Sequence, residues 1–345
     1  MAAPSGSTII DMYCHIFPDA FFREMTRIAP RLENIGQRLR GVKKLFDLDE
    51  RFREMDQFGD YRQVISLPNP SIEDIASPAD GLQLAKVGND SMAELCAKHK
   101  QRFPAFVAAV CLTDVEGSIA ELRRAVHELG ARGVQVFTHI AGTPLDDPRF
   151  EPFYAAVAEL DVPIWLHPVR TAAMPDFPGE RKSRFEMWWC FGWPYETSVT
   201  MVRLVFSGLF DRHPELRFVT HHLGGMIPYY DGRVGPGLQV LGQRTSDEDY
   251  SQVLASLKRP HMDYLKEFYA DTAMFGGGIH AIRCGLDFFG SDRVVFATDA
   301  PLGPIGPTIQ VLGRLALEPH ERRKLMVGNA EKLLKLNFSG QQARR

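Results

Sequence analysis

Four side chains that can bind a divalent cation stand far apart in the chain: His15 in Asp11-Met12-Tyr13-Cys14-His15, His167 in Trp165-Leu166-His167-Pro168, His222 in His222-Leu223-Gly224-Gly225, and Asp299 in Phe296-Ala297-Thr298-Asp299. Each closes or closely follows a short apolar run of the kind that forms a buried strand. Residues two apart on a strand point the same way. Tyr13 and His15 therefore leave the first run together, and Cys14 turns away, which removes it as a nucleophile there. Imidazole nitrogens and a carboxylate oxygen suit Zn(II) or a similar ion, which can act as a Lewis acid or activate water. Taken singly, each residue has a structural explanation, since a lone His is usually a surface or core residue and Asp299 before Ala300-Pro301 can shape a turn. His221 adjoins His222 and points away from it if the strand continues, so it receives no role.

The elements that must position these groups alternate. Strands are expected near 7–10, 64–67, 103–112, 133–137, 163–167, 216–220, 268–271 and 293–298. Helices are expected over 19–28, from about 49 to a stop at Gly59, and over 81–98, 115–129, 148–160, 196–210 and 279–289. Runs that are apolar throughout suit parallel strands covered on both faces. Eight strands separated mostly by helices predict a (β/α)8 barrel, an α/β fold, and such barrels carry their chemistry at the carboxyl ends of the strands. His15, His167, His222 and Asp299 fall at the ends of strands one, five, six and eight. A single domain over 1–340 is expected, with insertions near 30–45, 170–195 and 224–266. The basic stretch 30–44 has no assigned structure, and 341–345 reads as a loose tail.

Several classes are disfavoured. No G-x-G-x-x-G follows the first strand, no G-x-S-x-G is present, and Gly276-Gly277-Gly278 lacks the Lys and Ser/Thr of a phosphate loop. A net charge of −3 gives no electrostatic case for nucleic acid or an anionic membrane. The five cysteines are scattered without a C-x-x-C pair, which favours a reducing compartment over a disulfide framework. The first residues carry no basic segment followed by an apolar core, and no apolar run nears the roughly 20 residues that span a bilayer. The expectation is a soluble cytoplasmic protein with a small-molecule partner.

The Asp11-x-x-x-His15 start, His167-Pro168, His222-Leu223-Gly224-Gly225 and Thr298-Asp299-Ala300-Pro301-Leu302-Gly303, with Phe191-Gly192-Trp193-Pro194-Tyr195-Glu196-Thr197 between them, resemble the aminocarboxymuconate-semialdehyde decarboxylase family of the amidohydrolase superfamily, which includes the γ-resorcylate-type decarboxylases. The resemblance runs from Ile10 to about Asn329. It implies one metal held by His15, His167 and Asp299 with the residue at position 13, His222 acting on water or substrate, and Asp299 also moving a proton. It further implies a homodimer in which Arg233 reaches the neighbour's site. The chain departs from the pattern at Tyr13, where His or Glu is usual. A neutral phenol, with a pKa of about 10, is a poor ligand. Either the metal lowers it, water substitutes, or the metal is weak or lost.

The surroundings suit a flat anion. Arg170 can pair bidentately with a carboxylate. Trp188, Trp189, Phe191 and Trp193 can wall in a ring or simply pack a loop over the barrel mouth. His139, at the end of strand four, faces the same rim. The leading expectation is non-oxidative decarboxylation of a small aromatic or conjugated carboxylic acid, such as a hydroxybenzoate, hydroxypyridine carboxylate or muconate, with Zn or Mn as cofactor. The alternatives are metal-dependent hydrolysis of a C–C, ester or amide bond, and a metal-free homologue that only binds a ligand.

Overall fold

The computed structural model describes residues 8–338; the segment 1–7 and the tail 341–345 lie outside the described residues. Eight strands follow in chain order: β1 (Ile9–His15), β2 (Tyr61–Ser66), β3 (Ala105–Phe106), β4 (Val134–Phe137), β5 (Ile164–His167), β6 (Phe218–Thr220), β7 (Tyr269–Asp271) and β8 (Val294–Val295). β1, β2 and β3 pair in parallel, as do β4 through β8. Two seams close the ring. Ala108 bridges Val134 between β3 and β4, and Cys14 bridges Ala300 while the Met12 N–H donates to the Phe296 carbonyl, joining β1 to the chain that continues β8. This is the (β/α)8 barrel that the alternation predicts.

The helices start where local chemistry favours it. Asp47, Ser77 and Asp114 each accept a first-turn N–H as N-cap, and Pro78 takes the first helical position after Ser77. The helices Asp19–Ile28 and Ile279–Phe289 keep their expected bounds. The unassigned basic stretch contains the helix Glu33–Gly41. The helix expected over 196–210 begins four residues earlier and ends at Phe206, after which Gly208, at φ +72°, lets the chain turn into a separate short helix, Leu209–Arg212. The third strand is much shorter than 103–112, because the Asn89 side chain takes over both backbone groups of Ala109. A two-residue hairpin, His139–Ile140 with Thr143–Pro144, follows β4. No helix among the described residues is long and apolar enough to cross a membrane.

Alternate strand residues build two cores. Ile9, Ile65, Phe106, Val134, Ile164, Leu166, Phe218 and Val294 face the helices. Ile10, Val64, Trp165, Val219, Tyr269 and Val295 fill the barrel interior together with Leu333, Leu334 and Phe338 at the C-terminal end of the described chain. Trp165 is wholly buried there and donates its indole N–H to the Met12 carbonyl at 2.9 Å. Gly133 makes room for it, since a Cβ at that position would sit 2.2 Å from the indole.

A register shift in β1 between Asp11 and Cys14 sets the inward side chains. Through this bulge Met12 and Tyr13, neighbours in sequence, both pack inside while Cys14 packs outside. Asp11 lies at the seam. Its carboxylate accepts the Thr298 hydroxyl at 2.5 Å, the Thr298 N–H at 3.1 Å and the Tyr61 hydroxyl, tying β1 to β2 and to the chain after β8. Burial pushes this carboxyl up to about 6, with those hydrogen bonds pulling the other way. Asp11→Ala strands three buried donors. We expect a loss of about 3 kcal/mol in urea unfolding, at unchanged slope; an unchanged midpoint would show that the seam holds without it.

Candidate metal centre

β1, β5, the turn after β6 and the turn after β8 deliver five side chains to one buried place: His15, His167, His221, His222 and Asp299. His15 Nε2 lies 3.0 Å from Asp299 Oδ1, and His221 Nε2 lies 3.5 Å from the same oxygen. One donor atom each of His15, His167 and His221 falls within 4.8 Å of the others, and the same holds for His221, His222 and Asp299. The Tyr13 ring stands among them, 4.2 Å from the His221 ring and 5.3 Å from that of His15.

His221 corrects the expectation that it points away. β6 stops at Thr220, and His222 takes φ +53°, so strand alternation does not carry through the pair. Both rings come to the same side, with centroids 3.8 Å apart. Gly225 lets this turn dock on the helix Gly192–Phe206, because a Cβ there would meet the Pro194 carbonyl at 2.4 Å. Asp299 is also left-handed, at φ +64°. Backbone held in that region by non-glycine residues collects where geometry serves function.

Charge in this place comes from two buried carboxylates, Asp271 and Asp299, whose charged partners are histidines. Burial alone would raise Asp299, but the His15 and His221 rings beside its carboxylate outweigh it and hold the carboxyl well below the usual range. Burial likewise works against a proton on His221, yet the carboxylate of Asp271 lifts that ring to about 9. His167 and His222 move the other way, pushed well below the ordinary imidazole value by burial and by His221 beside them. Burial, then Asp271 and Asp299, drives the Tyr13 phenol well above its ordinary value. Burial also keeps Cys14 a thiol, consistent with its outward position.

Among the described residues, His15 Nε2, His221 Nε2, His222 Nδ1, Asp299 Oδ1 and Tyr13 Oη are all buried without a hydrogen-bond partner. One such atom costs about 1–3 kcal/mol. A convergent group of them, with ring nitrogens and a carboxylate around a locus that favours positive charge, fits a divalent cation.

A cavity of about 620 Å³ opens beside this cluster, lined by Arg170, Trp188, Trp193, His139 and Asn69 among others. Its walls touch the histidines directly. Trp193 lies 5.8 Å from the His167 ring and stacks on His222 at 6.1 Å, and Asn69 Nδ2 is 3.4 Å from His167 Nδ1. Arg170 donates to the Pro175 carbonyl at 3.0 Å from the cavity wall. His139 accepts the Gly142 N–H in its hairpin. Of the aromatic cluster, Trp189 and Phe191 do not line the cavity, and Phe191 is exposed. Arg233 is not brought to this site within the chain. It is exposed and lines a separate groove with Tyr195, Val202 and Tyr230.

Sequence reasoning passed over three residues. Asp271 holds His221, Asn69 touches His167, and Glu196 anchors the loop after β5. The only sequence sign of Asp271 was its place at the end of the seventh strand. Glu196 Oε2 accepts the Thr138 hydroxyl at 2.7 Å and the backbone N–H groups of Val169 and Arg170 at 3.1 and 2.9 Å. In Glu196→Ala, hydrogen exchange at Val169 and Arg170 is expected to quicken at least tenfold with the melting temperature little changed; undisturbed protection there would show that the loop is held otherwise.

The amidohydrolase family model matches residues 10–336. The γ-resorcylate decarboxylase of Rhodococcus jostii (strain RHA1) is 34% identical over 309 residues, covering 85% of this chain and 89% of that protein. The dihydroxybenzoic acid decarboxylase of Polaromonas sp. JS666, solved with manganese and the inhibitor 2-nitroresorcinol, superposes with a TM-score of 0.78 at 28% identity, over 97% of this chain and 98% of that one. The 5-carboxyvanillate decarboxylase of Novosphingobium aromaticivorans DSM 12444, also with manganese, gives 0.80 at 25% identity, over 96% and 97%.

Proposed function

The chain belongs to the amidohydrolase family, and from that premise we propose that it is a metal-dependent, non-oxidative decarboxylase of a small aromatic acid carrying an oxygen substituent next to its carboxylate. The observation that carries the reading is the buried histidine and carboxylate cluster beside a cavity walled by Trp188 and Trp193 with a guanidinium, Arg170, at its side. Likeness to decarboxylases of dihydroxybenzoate and carboxyvanillate supports it.

In this reading His15, His167 and Asp299 hold a divalent ion, and Tyr13 stands where the family's pattern has a further ligand. A bound ion would supply Lewis acidity and a template for the substrate's carboxylate and neighbouring oxygen. Zn(II) suits the nitrogen-rich donors, and Mn(II) has the support of the related structures. The aromatic walls orient the ring, and Arg170, once released from the Pro175 carbonyl, pairs with the anion; His139 lines the same space. Asp299 rests ionised, so it must gain a proton before it can give one. His222 is placed to relay it. Its ring is neutral, stacks on Trp193 at the cavity side and offers a nitrogen within 4.8 Å of the Asp299 carboxylate. The proton goes to the ring carbon that bears the carboxylate. The bond to that carboxylate then breaks, its electron pair stays in the ring, and CO2 leaves.

The excursions near 30–45, 170–195 and 224–266 belong in this reading to one domain, and the protein works as a cytoplasmic homodimer. Arg233→Ala tests the shared site: a tenfold or greater loss of kcat/KM is expected, and full activity would remove the arginine from it. The activity itself is tested on a panel of hydroxybenzoates, hydroxypyridine carboxylates and muconate-type acids. One class should release CO2, take one deuterium from D2O at the vacated carbon and take no labelled oxygen from water. His222→Asn should lower kcat by about 10²–10⁴-fold. No CO2 from any member, or labelled oxygen in the product, overturns the reading.

A further inference from the structure

We infer that His221 is a ligand of the divalent cation and takes the coordination place open at position 13, with Asp271 as its positioning residue and Tyr13 left outside the ligand set. This deepens the proposed function and rests on its claim that the cluster holds an ion.

Three histidines share one arrangement. His15 Nδ1 is 3.2 Å from the Ser66 hydroxyl, His167 Nδ1 donates to the Pro168 carbonyl at 2.6 Å, and His221 Nδ1 donates to Asp271 Oδ2 at 2.5 Å. In each, one nitrogen is engaged outside the cluster, which aims the other inward. Metal-binding imidazoles are oriented in this way, by a partner on the second nitrogen. For His15 and His221 the inward nitrogen is Nε2, buried and without a hydrogen-bond partner, and both face Asp299 Oδ1, itself without one. His221 is therefore built like the two accepted ligands. His222 is not: its Nδ1 has no anchor, and its ring leans on Trp193.

Asp271 is built to hold rather than to react. It ends β7 with no exposure, and its other oxygen accepts the Ala273 N–H at 3.0 Å, so both oxygens are engaged. A carboxylate locked to Nδ1 of an imidazole strengthens that ring as a donor.

His15, His167, His221 and Asp299 make three nitrogens and one oxygen, a four-ligand set that is complete without the phenol. Tyr13 is then unnecessary as a ligand. Its ring lies against His221 at 4.2 Å and continues the apolar interior of Ile10, Met12 and Trp165. Its hydroxyl is buried and also lacks a partner.

The test uses full-length protein stripped with chelator and titrated with Mn(II), following free ion by electron paramagnetic resonance. Wild type should bind a single ion per chain, and His167→Ala should abolish this. His221→Ala should weaken binding at least 100-fold and Asp271→Asn by about 10–100-fold, while Tyr13→Phe stays within threefold. Should His221→Ala misfold, pulsed resonance on Mn(II)-loaded wild type counts the bound ring nitrogens, with three expected. Retained affinity in His221→Ala, or two nitrogens in wild type, overturns the assignment and leaves the metal reading standing. Loss of the ion in Tyr13→Phe overturns it in favour of a tyrosinate ligand. A wild type that binds no ion overturns both.

Discussion

The structure depends first on how its ring is closed. His15 and Asp299 lie near opposite ends of the chain, and their 3.0 Å approach exists only because β1 is joined to the chain after β8. Asp11 makes that join with a buried carboxylate that collects donors from Thr298 and Tyr61. Arg51, also buried, holds the His15 carbonyl at 2.6 Å from the helix side. One end of the first strand is thus gripped from both faces, and the bulge within it decides which side chains look inward. Placement of the site and closure of the barrel are one problem, met by a few polar contacts inside an otherwise apolar shell.

Within the shell, tasks are divided by what each nitrogen touches. His15, His167 and His221 have an outer nitrogen engaged and are held still, whereas His222 has a ring with an unanchored Nδ1 against Trp193. Charge follows the same division. The carboxylates of Asp271 and Asp299 favour positive charge at the centre, while burial keeps His222 neutral at its edge. A neutral imidazole can accept and donate at physiological pH. The ring that lies against Trp193 without an anchor is therefore the one able to pass a proton.

Much of this could be read from the residues. Apolar runs gave the order of all eight strands, and His15, His167, His222 and Asp299 were visible because each followed one. The misses came where side chains replaced backbone periodicity. Asn89 ended the third strand early by bonding to Ala109, and no periodicity in 103–112 signals that. His221 was misread because alternation presumes a continuing strand, and the left-handed residue after it breaks that presumption. Asp271 carries meaning only through His221. Glu196, inside a helix, gave no hint that it serves a loop nearly thirty residues before it. Arg233 was carried by resemblance, and within a single chain it lies on another face.

The donors at 15, 167, 221 and 299 come from four separate strand ends, and no two that lie near each other in sequence make a chelating pair without the rest of the fold. Such contacts carry a high loop-closure cost and form late in folding. A partly folded chain then offers nothing that distinguishes it from any histidine-bearing polypeptide, and capture of a cation by this set would come after the ring has shut. An ion held by these four residues would bind the finished barrel in preference to its precursors, and the cellular supply of metal would then enter the lifetime of the protein as well as its chemistry.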